Sequence, residues 1–455
     1  IMLFHSAEFL FLFFPISILL HYFLRGNFAQ MLALTLLSAW FYMAAFPLYI
    51  FILLGLIAFD YVGALLLAKL SGYRQKICLG ICVASNLALL ASFKYWNFMA
   101  ENLNLAGASI PRHEWILPVG LSFHVFQSLS YLIEVYRRTW PAERNVLRYS
   151  LYVLFFPQMV AGPIERPQNI LPQFTKFKSF DAQEFKAGLY LFLKGLFMKV
   201  AVADRLAAFS DPVFNEPSLA SGSQVILAIV FFMFQIYADF SGYSNMALGI
   251  AQSLGIKLMV NFRQPYLACS LSDFWRRWHI SLSTWFRDYV YIPLGGNRNG
   301  IILSGLNLMI VFLLSGIWHG AGWNFIFWGF LHGMGLIVEN YFSPRRKQGF
   351  RIVNWLRTQV WVMLCWVFFR AVSFNDAIGL FNSLFQWNKP PLAMEFTVPE
   401  ILYGLIIVLL IPVSEYFRWQ DRLFSKSPWL SCSVLLIATY FLGNFKSSSF
   451  LYFQF

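Results

Sequence analysis

DFWRRWHISLSTWFRDYVYIPLGGNRNGIILSGLNLMIVFLLSGIWHGAGW, residues 273–323, decides how the rest of the chain is read. Residues 270–290 mix Trp, Arg and Asp at helical spacing. They suit buried or interface-lying helices rather than ordinary membrane spans. Residues 301–340 are apolar, with SGIWHGAGW at their middle, and predict a helical pair around a small-residue turn. Two histidines, His279 and His319, stand forty positions apart within this stretch. Polar and ionisable residues are costly at membrane depth, so their concentration here marks the lining of a reaction chamber.

Working outward, apolar residues make up 59% of the 455-residue chain and charged residues only 12%. Repeated apolar windows exceed the roughly 20 residues that cross a hydrocarbon core. The expected fold is therefore all-α and polytopic, and no long polar stretch offers a separate soluble unit, so residues 1–455 read as one membrane domain. The net charge of +13 gathers in the loops between spans. That pattern speaks for cytoplasmic anchoring and attraction to anionic lipid, and against nucleic acid. Cys78, Cys82, Cys269, Cys365 and Cys432 show neither metal-ligand spacing nor a disulfide framework. The first span lacks a small-residue cleavage pattern and is expected to be retained.

The expected apolar segments lie at residues 3–24, 29–44, 46–68, 77–99, 115–136, 182–203, 223–250, 301–340 (a pair), 355–372, 400–416 and 430–443, of which about ten count as full crossings. Residues 100–112 and the segment around Asp211, Pro212, Glu216 and Pro217 read as loops, and 373–397 as room for one short amphipathic helix. Residues 149–162 are too short to cross and end in AGPIERPQ, where Gly162, Pro163 and Pro167 stop a helix. They read as a re-entrant piece, tolerable where protein rather than lipid surrounds the broken backbone. With the N-terminus outside, the basic loops at 25, 69–76, 137–148, 345–357 and 418–426 all fall in the cytoplasm. No internal repeat is evident, which disfavours a repeat-built transporter.

Within this frame His319 is the leading candidate for chemistry. An imidazole can take a proton from a hydroxyl and return it to a leaving group, as acyl transfer requires. Gly316 and Gly320 are expected to thin the helix so that a ligand can approach the ring; the bland alternative is a hydrogen-bonding histidine beside packing glycines. His279, in WRRWHISLS, either orients substrate or is a structural histidine held by Asp288 or another carboxylate. Arg276 and Arg277 either bind a phosphate-rich thioester carrier or form interface salt bridges. A metal held by His279, His319 and His332 lacks any HxH or HxxxH support. PLGGNRNG at 293–300 lacks the GxxxxGK[ST] pattern and reads as a tight turn. Asp239, in QIYADFSGYSN, either steers a histidine, pairs with an arginine of the 276–287 block, or forms a buried ion pair. Tyr237, Ser241 and Asn245 share its polar region. Trp275, Trp278, Trp285 and Trp318 are either interface anchors or tunnel lining. His124, Gln127 and Ser128 share one helical face directed into the bundle.

Four stretches also carry a resemblance: FPQMVAGPIERPQNILPQF (155–174), IYADFSGYSNMALG (236–249), FWRRWHISLSTWFRDYVYIPLGGNR (274–298) and SGIWHGAGWNFIFWGFLHG (315–333). With MLFHSAEFLFLFFP at the start and FLYFQF at the finish, the chain resembles the membrane-bound O-acyltransferase family, and within it the bacterial alginate O-acetyltransferase branch. The resemblance implies a ring of tilted helices around a thin centre, with re-entrant and interfacial helices, in the bacterial inner membrane. It places the family's invariant histidine on His319 and its second position on His279. Arg276, Arg277, Trp278 and Trp318 would hold the donor. Asp239, Tyr237, Ser241, Asn245, Asp288 and His124 would line the site. No bound cofactor is implied. Acetyl-CoA would enter from the cytoplasm as acyl donor, and an exported polysaccharide or a periplasmic acetyltransferase would accept the group outside. D-alanyl transfer, peptidoglycan or cellulose acetylation, and a transporter whose histidines gate protons are the rival readings.

Overall fold

The computed structural model describes residues 2–118, 120–159, 162–298, 300–342, 351–392, 396–445 and 451. All regular structure among these residues is helical, with no strand. Among the described residues six helices are long and apolar enough to cross a membrane: Pro47–Lys69, Gly72–Lys94, Gly222–Ser253, Ile301–His319, Ile352–Arg370 and Val398–Phe417. Large apolar side chains such as Phe11, Phe51, Ile302 and Leu409 are exposed, as a surface solvated by lipid tails requires. The protein is a multi-pass membrane protein.

Among the described residues six is fewer than the ten crossings expected, because several expected spans are shorter helices: Asn27–Met43 has 17 residues, Ala182–Phe197 has 16 and Pro428–Leu442 has 15. Leu121–Tyr136 begins later than predicted because Pro118 and Gly120 (φ 77°) precede it, leaving 16 residues. Thirteen of them are buried in protein, His124, Gln127 and Ser128 included. Their side chains thus face protein, as the shared helical face predicted. Two predicted loops are helical instead. Trp96–Leu105 is a helix whose end is tied down by Asn104, which both donates to the Ile110 carbonyl and accepts from the Ile110 N–H. Asp204–Asn215 is a helix despite Pro212, because Leu206, Phe209, Val213 and Phe214 bury one face of it. The short helix at Phe374–Ser383 lies where one was expected. The basic residues Arg345, Arg346 and Lys347 lie outside the described residues.

Contacts divide the chain into two compact units, Ile1–Phe192 with Tyr243–Met259, and Leu193–Gly242 with Val260–Phe455. In the first, Phe9, Phe13, Phe41 and Phe156 build an aromatic core, with the Phe13 and Phe156 centroids 5.0 Å apart. The broken segment after Tyr149 belongs here. Residues 151–159 are buried throughout, and Gln127 donates to the Tyr152 carbonyl (2.6 Å) while the Tyr152 hydroxyl donates back to that of Gln127 (3.1 Å). Protein therefore surrounds its interrupted backbone, which is the condition such a segment needs.

The second unit centres on Gly222–Gly242, the part of the 32-residue Gly222–Ser253 helix that belongs to it, and on the pair Ile301–His319 and Trp323–Phe342. The long helix has 83% of its most apolar window buried, against 17% for Val398–Phe417, so it is core where the other is periphery. The helical pair touches backbone to backbone. A Cβ at Gly316 would collide with the carbonyl oxygen of Phe325, and one at Gly329 with that of Phe312. Small residues at such crossings let dispersion forces hold helices together where lipid supplies no hydrophobic drive.

Candidate functional site

Both histidines lie in the second unit. His319 is the last residue of Ile301–His319, and Gly320 ends the helix by turning to extended backbone. His279 sits between two short helices, Leu271–Arg277 and Ile280–Phe286, with φ 42°. A non-glycine residue in the left-handed region costs about 1–2 kcal/mol. The surrounding backbone is held by a clamp: Ile280 N–H donates to the Asn261 carbonyl (2.9 Å), Ser281 N–H to Asn261 Oδ1 (3.2 Å), and Arg263 N–H to the Arg277 carbonyl (3.0 Å). Nothing in the local sequence around Asn261 announces this role.

Trp318 packs against both imidazoles. Its ring centroid is 6.1 Å from that of His279 and 4.9 Å from that of His319. His279 also meets the edge of Phe240 at 4.6 Å and 86°. His319 packs on Trp328 (5.1 Å) and Phe369 (5.2 Å). Burial drives the His279 pKa down to about 3, so its ring is neutral at physiological pH and can accept or donate one hydrogen bond without carrying charge. Gly316 and Gly320 do not open the helix for a ligand as expected. The space beside each is filled by Phe325, by its backbone in one case and its ring in the other, so they serve helix packing.

A cavity of about 390 Å³ adjoins this cluster. Arg276 and Arg287, both exposed, stand at its wall together with Trp275, Ser283 and Thr284. One side is a stripe of the Ile301–His319 helix: Leu308, Val311, Phe312 and Ser315. Positions three and four apart share a helix face. The next member of that stripe, four residues beyond Ser315, is His319. Ile280, which directly follows His279, lines the cavity as well. Neither imidazole is itself part of the lining.

The remaining predicted residues are dispersed. Trp278 is buried in an aromatic core with Phe262 (5.0 Å), Trp366 (5.0 Å) and Phe274 (5.5 Å), away from the cavity lining. Arg277 pairs with Asp273 (2.9 Å), and Arg287 with Asp288 (2.7 Å). The Tyr237 hydroxyl donates to Glu415. Asp239 pairs with Lys199 (2.7 Å) rather than with an arginine of the 276–287 block. Ser241 is buried on the same helix. His124 and half-buried Asn245 belong to the other unit. No signal in the sequence singles out Lys199, Asn261 or Ser315, and His332 reads from it only as a candidate metal ligand. That residue is buried between Trp275 (4.9 Å) and Trp328 (5.0 Å), directly behind the cavity wall. Among the described residues no group of three or more His, Cys, Asp or Glu side chains is arranged to hold a metal ion.

Comparison with known proteins adds an independent line. The profile of the membrane-bound O-acyltransferase family matches residues 128–375. A probable alginate O-acetylase AlgI of Pseudomonas syringae pv. tomato is 38% identical over 398 residues, 85% of this chain and 76% of the relative. A peptidoglycan O-acetyltransferase of Helicobacter pylori is 34% identical over 516 aligned positions, covering 100% of this chain and 98% of the relative. A teichoic acid D-alanyltransferase of Bacillus subtilis is 26% identical over 331 residues, 68% of this chain and 80% of the relative.

Proposed function

The chain belongs to the membrane-bound O-acyltransferase family, and from that premise we propose that it takes an acetyl group from cytoplasmic acetyl-CoA and delivers it to a hydroxyl outside the membrane, for O-acetylation of an exported polysaccharide. Alginate is the preferred polymer, since several of the alginate O-acetylases reach 36–38% identity. The observation that carries the mechanism is the stripe of the Ile301–His319 helix that lines the cavity and has His319 as its next member.

The chemistry follows from the groups present. The phosphates of coenzyme A are too costly to bury in lipid, so the nucleotide stays at the mouth of the cavity against Arg276 and Arg287. Only the thioester arm enters, past Phe312 and Ser315 toward His319. The His319 imidazole takes the proton of the acceptor hydroxyl as its oxygen attacks the thioester carbonyl. The carbon–sulfur bond then breaks, and the imidazolium returns the proton to the departing thiolate. Neutral His279, which packs against the same Trp318 ring as His319, donates a hydrogen bond to the carbonyl oxygen as negative charge develops there. The acceptor is either the sugar itself or a periplasmic partner that passes the group on.

With the N-terminus outside, the orientation the positive-inside rule favours, the basic loops face the cytoplasm, the side from which acetyl-CoA enters. The test is purified protein with labelled acetyl-CoA and candidate acceptors. Acetylated product is expected with alginate oligomers or the partner, whereas labelling of peptidoglycan fragments alone would favour the second relative's chemistry. Arg276→Gln combined with Arg287→Gln is expected to raise the KM for acetyl-CoA roughly a hundredfold, about tenfold per charge-assisted contact, with kcat nearly unchanged. An unchanged KM would remove the arginines from donor binding. His279→Ala is expected to lower kcat about a hundredfold, the scale of one lost oxyanion donor. Normal kinetics there would leave His279 a purely structural role.

A further inference from the structure

Lys199, Asp204 and Asp239 are all more than nine-tenths buried, and the acyl-transfer scheme uses none of them. Lys199 Nζ lies 2.8 Å from Asp204 Oδ1 and 2.7 Å from Asp239 Oδ1. The second Asp239 oxygen accepts the backbone N–H of Leu451 at 2.8 Å. Lys199 occupies a π-helical turn, Met198–Ala203, and such turns are frequent at functional sites. One helical turn beyond Asp239, a Cβ on Gly242 would lie 2.9 Å from the Gly195 carbonyl and 3.1 Å from Lys199 N. The two helices therefore touch next to the charges.

Both carboxylates meet Lys199 in a place where each buried ion carries a desolvation cost of several kcal/mol. The residue after Asp239 ties this cluster to the site: Phe240 sets its ring edge on His279 at 4.6 Å. Anchoring Asp239 fixes the rotation and register of the long helix, and so the place of Phe240.

We propose that Lys199, Asp204 and Asp239 are positioning residues for the transferase site, holding Phe240 against His279 so that its imidazole keeps a productive orientation. This rests on the reading of His279 as a participant in acyl transfer. Asp239→Asn leaves a neutral Lys199–Asp204 pair, so the variant loses the positioning tie without stranding a buried charge.

The experiment is a double-mutant cycle on acetyl transfer by the full chain, with labelled acetyl-CoA. Asp239→Asn and Phe240→Leu are each expected to lower kcat at least tenfold, a modest part of the roughly hundredfold that a 1 Å misplacement can cost. KM for acetyl-CoA should stay within about twofold, and the double variant should be no worse than the weaker single. Penalties that multiply, or an Asp239→Asn enzyme with wild-type kcat, would overturn the proposal. Should Asp239→Asn not accumulate as folded protein, Asp239→Glu paired with Phe240→Leu gives the same readout, because the longer side chain keeps the charge but displaces the helix relative to Lys199. His279→Ala runs alongside. If it transfers at the wild-type rate, the reading of the site itself falls. If it is impaired while the cycle multiplies, only the positioning role falls.

Discussion

His319→Gln is expected to lower acetyl transfer by about a thousandfold, within the range that removal of a positioned general base produces, while the protein still folds. The two consequences separate because the substitution changes proton chemistry more than volume. His319 is 5% exposed and its ring is packed among Trp318, Trp328 and Phe369. Truncation to alanine would leave a hole among three aromatic rings and confuse a packing defect with a chemical one. Glutamine fills most of that space and keeps a polar group, but it cannot take a proton at neutral pH. Size-exclusion behaviour and thermal stability in detergent should therefore match wild type, while turnover of labelled acetyl-CoA collapses. Wild-type turnover in the glutamine variant would remove His319 from the mechanism. Loss of both fold and turnover would show instead that the ring is a packing element.

The parts of this molecule legible in its sequence were those written locally. The long core helix, read as 223–250, spans Gly222–Ser253, and the apolar pair around SGIWHGAGW forms the hairpin it promised. Periodic apolar residues and small-residue turns are signals that neighbours in the chain carry by themselves. Pairings across the chain left no such mark. Asp239 was visibly an intramembrane carboxylate, but its partner lies forty residues upstream in an apolar run, where a lone lysine looks like a span end. The Asp204–Asn215 helix hid behind Asp211 and Pro212, which read as loop residues until Arg370, 2.9 Å from Asp211, supplies the missing countercharge. The glycines beside His319 are a third case. Sequence says that a side chain is missing there, and only packing says that Phe325 takes the room.

That last point carries the second large effect. Gly316→Val is expected to prevent the Ile301–His319 and Trp323–Phe342 helices from closing, at a cost of about 3 kcal/mol or more, the upper range for overpacking. A valine Cβ would fall on the Phe325 carbonyl oxygen, which is backbone and cannot rotate aside. The same clash arises from the other helix, because Gly329 faces the Phe312 carbonyl, and Phe312 belongs to the cavity wall. Separation of the pair would therefore move His319 and the cavity together, and folding and turnover should fail in parallel, unlike in His319→Gln. Gly55→Val is the matching control: it places the same side chain in an apolar helix where nothing lies within 4 Å of the new Cβ. The control should keep near-normal thermal stability in detergent, whereas Gly316→Val should lose the folded peak on size exclusion. Equal stability of the two variants would mean that backbone contact at Gly316 does not hold the pair, and that the stripe leading to His319 is fixed by other contacts.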